Sequence, residues 1–437
     1  MSVSVLRHRD FLLYLAARVF STLAAQMMNV AVGWQVYALT GSVTDLGLIG
    51  LAQFAPFLLL VLPAGQVADR YDRRVVINLC FGLQTAVALL LLGFTHSGLT
   101  AVWPVFAALA LAGCARAFMM PASQAIVMNL VPTERFAQAT ALSSSSFHVA
   151  VIAGPVLGGL LYLAGPQVVY ALVAALFAAA GLLMLPVRTR QTTQRAPAGG
   201  RSILEGFRFV RSRPVVLGAI SLDLFAVLFG GAVALLPVYA RDVLHVGPTG
   251  LGLLRTAPAL GAACTSIVLA FRPITRHVGR WMFGGVALFG VATVVFGLST
   301  HLALSVAALA LTGVGDMVSV YIRHLLVQLE TPDAIRGRVS SVNAVFIGAS
   351  NELGEFESGL TAGWFGLVPS VVLGGLATLG VAVAWMALFP VLRRMNGFPT
   401  AADAPPAPTP ATAPDALPGA NRPSNVGAKV DSSCAAK

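Results

Sequence analysis

Gly, Pro and Arg punctuation divides this chain into roughly twelve apolar stretches, each near the ~20 residues a helix needs to cross a bilayer. They centre near Met27, Phe54, Thr85, Ala112, Val151, Phe177, Ala226, Leu260, Val291, Gly313, Asn351 and Gly380. None shows the alternation of a membrane barrel strand, so each is expected to be a helix that satisfies its own backbone. Composition agrees: 57% of the 437 residues are hydrophobic and 10% are charged, against about 25% charge in soluble domains. A soluble chain of this length could not hide that apolar surface. A cytosolic enzyme, a secreted disulfide scaffold and a nucleic-acid-binding domain are therefore excluded, and an all-α integral membrane protein is expected.

The net charge of +11 reflects sidedness rather than a nucleic-acid partner. Even-numbered connections hold Arg70, Arg73 and Arg74; Arg135; the cluster from Arg188 to Arg213; Arg272, Arg276 and Arg280; and Arg336 and Arg338. Arg393 and Arg394 follow the last span, whereas the odd connections offer little beyond Arg241 beside Asp242. The positive-inside rule then puts both termini in the cytoplasm of a multi-pass protein. The stretch from Phe11 to about Leu39 is too long for a signal-peptide core and is expected to be the first span. Cys80, Cys114, Cys264 and Cys434 form no CxxC pair, so neither a metal site nor a disulfide framework is expected. No cofactor is implied, and no nucleotide-binding loop is visible.

The expected organisation is six spans in 1–187, a cytoplasmic linker at 188–213 read as solvated, six spans in 214–395, and a Pro/Ala-rich disordered tail at 396–437. Sliding the sequence by 200 residues pairs Pro132 with Pro332, Gly154 with Gly354 and Gly159 with Gly359. The paired segments have equal sidedness, which implies two six-helix bundles in a parallel repeat about a pseudo-twofold axis along the membrane normal.

Between spans two and three runs Gly65-Gln66-Val67-Ala68-Asp69-Arg70-Tyr71-Asp72-Arg73-Arg74. Gly65 suits close helix approach, Asp69 can accept hydrogen bonds from a helix end, and Arg70, Arg73 and Arg74 suit the inner interface. Such a cluster can latch two bundles in one state and release them in another. This sequence resembles the signature loop of the major facilitator superfamily; in the second half Thr275 replaces the aspartate. Span five carries Gly154-Pro155-Val156-Leu157-Gly158-Gly159, a bend with close packing positions. It resembles the Gly-Pro-x-x-Gly-Gly element of that superfamily's proton-driven exporters. Arg338-Val339-Ser340-Ser341-Val342-Asn343 followed by Ser350-Asn351-Glu352-Leu353-Gly354 is similar to the bacterial branch containing the enterobactin exporter and macrolide-type efflux proteins. The resemblance covers about residues 5 to 395 and implies alternating access, with two bundles rocking about a central site.

Charges inside spans cost roughly 2.5–3.5 kcal/mol each on insertion scales, and usually face inward for function. Glu352 and Glu355 on span eleven lead as proton carriers, with Asp223 third and Asp316 also considered; burial favours a carboxyl's protonated form. Asn351 lies four residues from Glu355 and is expected on its face. A buried ion pair with Arg255 or Arg323 is the structural alternative. Gln26, Asn29, Trp34, Arg116 and Asn351 are candidates for a substrate cavity, and Gln53 and Gln84 could add polar contacts. His148 is expected to be a polar core residue.

The expected function is secondary active transport in a bacterial inner membrane, by a monomer, of a small molecule against protons. The resemblance suggests export of a siderophore or an amphipathic drug. A proton-symport importer of the same fold and a non-transporting receptor or regulator remain as alternatives. An enzyme is not expected, because no nucleophile–base or metal spacing is visible.

Overall fold

A computed structural model of the protein describes residues 8–98, 100–132, 135–188, 201–332 and 335–399. The tail expected to be disordered lies outside the described residues from 400 onward. The first half forms α1 (Arg9–Thr40), α2 (Val43–Arg70), α3 (Arg73–His96), α4 (Trp103–Leu130), α5 (Phe136–Leu161) and α6 (Pro166–Met184). A short α7 (Arg201–Ser212) follows. The second half forms α8 (Pro214–Val243), α9 (Gly247–Phe271), α10 (Val278–Leu298), α11 (Leu302–Glu330), α12 (Arg336–Phe365) and α13 (Leu367–Leu388). Local chemistry sets several boundaries. Gly41 ends α1 in the left-handed region at φ 63°, Ser42 caps α2 by accepting from the Asp45 N–H, and Asp72 caps α3 by accepting from the Arg74 N–H.

Among the described residues, eleven helices are long and apolar enough to cross a membrane. The twelfth, α12, is 30 residues long, or about 45 Å at 1.5 Å per residue. Its length suffices; its arginines and carboxylates keep it from reading as apolar.

Helix pairing displays the repeat. In the first half α1 packs on α5 and α6, α2 on α4, and α3 on α4 and α6. Each pair has its counterpart in the second half: α8 on α12 and α13, α9 on α11, and α10 on α11 and α13. Across the halves α2 meets α12 and α5 meets α9, which are again counterparts. The fold is thus two six-helix bundles related by a pseudo-twofold axis. One core with Phe11, Met27, Ile77, Leu109, Tyr170 and Phe177 fills the first bundle. Another around Leu222, Met282 and Ile322 fills the second, and one around Leu236, Tyr239 and Phe296 reaches across to Val30 of α1.

The bundles seal against each other at the end remote from the arginine-rich connections. At Gly359 of α12 an added Cβ would stand 2.6 Å from the Gly47 Cα of α2, and at Gly159 of α5 it would stand 2.4 Å from the Pro248 carbonyl of α9. Only glycine permits these backbone approaches. Toward the arginine-rich end, Gly65 of α2 has nothing within 4 Å of an added Cβ.

Two features differ from the sequence expectation. Part of the segment read as a solvated linker is α7, which packs against α12. Its Val210 is buried with Val216, Ile220, Val339 and Val342, because the helix has an apolar face that docking removes from water. The seventh span is also discontinuous. Helix from Pro214 to Gly230 gives way to a 3-10 turn at Ala232–Leu235 and a π turn at Tyr239–Val243. Gly230-Gly231 supplies the break, and neighbouring helices satisfy the freed backbone: the Gly231 carbonyl accepts from the Ser358 hydroxyl at 3.0 Å.

Candidate functional site

Where the halves meet, a cavity of about 70 Å³ lies between six helices. Its walls are Asn29 and Gly33 of α1, Leu46, Ile49 and Gln53 of α2, Arg116 of α4, Ala234 of α8, Arg255 of α9, and Glu352 and Glu355 of α12. Helical spacing explains the grouping: residues three or four apart share a face, as Asn29 and Gly33 do, and Glu352 and Glu355. The break in α8 brings Ala234 in. Gly50 of α2 makes room for Glu355, since an added Cβ would fall 2.9 Å from the Glu355 Cβ.

Two guanidiniums and two carboxylates therefore share one small space. Arg116 hydrogen-bonds and ion-pairs with Glu352, joining the first half to the second. The Arg116 guanidinium also lies over the Phe57 ring, 5.5 Å from its centroid. Arg255 stands within electrostatic reach of Glu355, and its Nε is buried without a hydrogen-bond partner among the described residues. A volume of 70 Å³ holds about two waters. A substrate needs the halves to part.

Other sequence candidates fall elsewhere. Gln26 packs against Gly154 rather than lining this cavity. Trp34 stands edge-on to Tyr162 with centroids 6.4 Å apart. Asn351, expected on the Glu355 face, instead lines a separate cavity of about 280 Å³ inside the second bundle, together with Asp316. Four residues advance a helix by about 40° beyond a full turn, enough to turn Asn351 into its own bundle. Asp223 is ion-paired with Arg323, both buried within the second half. His148 is exposed beside Phe147 rather than a core residue. The Gln84 amide donates weakly to the Ala112 carbonyl at 3.5 Å.

In the Gly65–Arg74 loop the described contacts stay within the first half. Arg73 donates to the Ala68 carbonyl at 3.4 Å and to the Ala125 carbonyl of α4 at 3.2 Å. Arg74 donates to the Val187 carbonyl at 2.9 Å and ion-pairs with Asp72 at 3.5 Å. Arg70 is exposed, and the Asp69 side chain lies outside the described residues. The Gly154–Gly159 element faces two partners: Gly158 abuts Met27 of α1, while Gly159 and the Pro155 carbonyl meet Pro248 and Gly252 of α9.

One clasp escaped the sequence reading. At the sealed end the Tyr37 hydroxyl of α1 donates to Asp242, Arg241 lies over the Tyr37 ring at 5.5 Å, and Arg241 donates to the Tyr37 carbonyl at 3.4 Å. The signal was available, because Arg241-Asp242 is a charged pair in connections that are otherwise nearly uncharged.

The sequence model of the Major Facilitator Superfamily matches residues 14–355. The enterobactin exporter EntS of Citrobacter koseri is 28% identical over 423 residues, covering 93% of this chain and 98% of that protein. EntS of Shigella boydii is 28% identical over 416 residues, 91% and 96% of the two chains. Among solved structures, a bacterial homologue of the human lysosomal transporter Spinster, inward-facing and unoccupied, superposes with a TM-score of 0.70 at 15% identity, covering 90% of this chain and 97% of that one. A POT family transporter bound to a thioalcohol-conjugated peptide gives 0.71 at 13% identity, covering 88% and 97%. At those identities the likeness is one of fold. Twelve paired helices, a charged cavity at the pseudo-twofold axis and a sequence match over most of the length make this chain a transporter, not an enzyme, and a member of the major facilitator superfamily.

Proposed function

We propose that the protein is a proton-coupled exporter of the bacterial inner membrane, exchanging protons for a small hydroxyl-bearing molecule of the catechol siderophore type or an amphipathic drug. The observation that carries this is the neutral four-charge cavity between the halves, with Glu352 and Glu355 facing Arg116 and Arg255. The curated relatives, named as enterobactin exporters, favour the catechol. Neutral catechol hydroxyls donate hydrogen bonds to ionised carboxylates, so substrate and proton compete for Glu352 and Glu355. Competition for one site is what exchange requires. An anionic substrate would bind with the proton instead, because each protonated carboxylate frees a guanidinium. That arrangement gives symport.

With the arginine-rich end cytoplasmic, the glycine contacts at Gly159 and Gly359 lie on the outer side, which supports an inward-facing reading. Loading ends with the Arg116–Glu352 pair broken and the Tyr37 clasp released, after which the bundles rock. Asp223 is held by Arg323, so proton carriage rests with Glu355 and Glu352. The protein works as a monomer, with the Gly65–Arg74 loop latching the bundles in the opposite state. The test is uptake into inverted membrane vesicles with an acidic lumen. Gradient-driven uptake of a catechol siderophore or a cationic dye by the wild-type protein supports export. Uptake of an organic anion into right-side-out vesicles, driven by inward proton flow, would replace export with symport.

A further inference from the structure

The second bundle contains a carboxylate that the central site does not use. Asp316 of α11 lines the cavity of about 280 Å³ between α8, α9, α10, α11 and α12, and no hydrogen bond or ion pair engages it among the described residues. Among the described residues, Asp223 beside it is ion-paired with Arg323. Asp223 and Asp316 line one small gap beside Ser319. Asp316 thus has no cation of its own among the described residues, and ionising a lone carboxyl there costs several kcal/mol. Around it are the rings of Phe289 and Phe296, the hydroxyl-bearing Thr293 and Thr312, and the exposed Asn351. No arginine or lysine lines the cavity. Its size lies just below the range of about 300–1,000 Å³ for drug-sized pockets, which leaves room for an amine-bearing arm and little more.

We infer that this cavity binds an organic ammonium group, with Asp316 as its counter-ion and the two phenylalanine rings as walls. Charge complementarity supplies the selectivity. An ammonium compensates the carboxylate with charge-assisted hydrogen bonds and gains cation–π attraction from the rings, whereas an anion is repelled and a neutral group leaves the charge uncompensated. The site is separate from the central cavity, so it stands or falls independently of the exchange proposed above.

The test is calorimetric titration of the full chain in detergent with 2-phenylethylammonium, and with 2-phenylethanol as its neutral analogue. The ammonium is expected to bind about tenfold or more tightly than the alcohol, to lose that advantage in Asp316→Asn, and to keep it in Glu355→Gln. Equal binding of alcohol and ammonium, or unchanged ammonium binding in Asp316→Asn, overturns the inference. Should Asp316→Asn fail to fold, Ala262→Leu narrows the same cavity from α9 without altering charge. Binding must weaken there too, and unaltered affinity overturns the inference equally.

Discussion

Two ion pairs in this protein have the same chemistry and opposite surroundings. The Arg323 and Asp223 side chains are 3% and 7% exposed, whereas Arg116 is 47% exposed and its partner Glu352 11%. Removing one member of a buried pair strands the other, at about 3–5 kcal/mol. Arg323→Met should therefore cost about that much in thermal or denaturant unfolding, and Asp223→Asn added to it should recover most of the loss. Glu352→Gln leaves Arg116 open to water and should cost about 1 kcal/mol or less, while altering transport. If the two single substitutions destabilise equally, the structural and functional roles assigned to the pairs are wrong. The charges themselves were legible in the sequence, because a carboxylate or guanidinium inside an apolar run is conspicuous. Their pairing was not. Arg116 and Glu352 are 236 positions apart, and nothing local says that α4 and α12 face each other across the axis.

At the level of elements, closure depends on where backbones touch. Gly159→Val would drive a side chain into the Pro248 carbonyl, 2.4 Å from an added Cβ, and should hold the bundles apart at the sealed end. The readout is labelling by an impermeant maleimide of a cysteine placed at Asn29, in a chain whose native cysteines are replaced. Labelling from the sealed side should rise in Gly159→Val and stay low in Gly82→Leu, whose added Cβ meets nothing within 4 Å. Tyr37→Phe removes the hydroxyl that donates to Asp242 and should raise the same labelling by a smaller factor. Unchanged labelling in both would mean that neither contact holds the seal. Helix number and the repeat were readable from span length and punctuation. The break in α8 and the docking of α7 were not recognised. Gly230-Gly231 looks like ordinary small-residue packing within an apolar run, and the Val210 face has meaning only once α12 stands opposite it.

For the molecule as a whole, the two bundles meet at α2–α12 and α5–α9, and the charged cavity lies on that seam. On the proposed mechanism, rocking about it would expose the same four charged side chains to each side in turn. The carboxylates belong to the second bundle, and one arginine comes from each. On the exchange proposed above, opening would separate Arg116 from Glu352 and leave Arg255 with Glu355, so that Glu355 would be the group loaded for the return step. The most direct test uses purified protein in liposomes. It compares catechol-siderophore accumulation driven by a pH gradient with equilibrium exchange in the absence of a gradient, for the wild-type protein and Glu355→Gln. The wild type should do both. Glu355→Gln should lose gradient-driven accumulation and keep exchange, because Glu352 still holds the substrate and the bundles still rock, while a side chain that does not titrate cannot couple them to the gradient. Full gradient-driven accumulation by Glu355→Gln would contradict the assignment of proton coupling to this cavity.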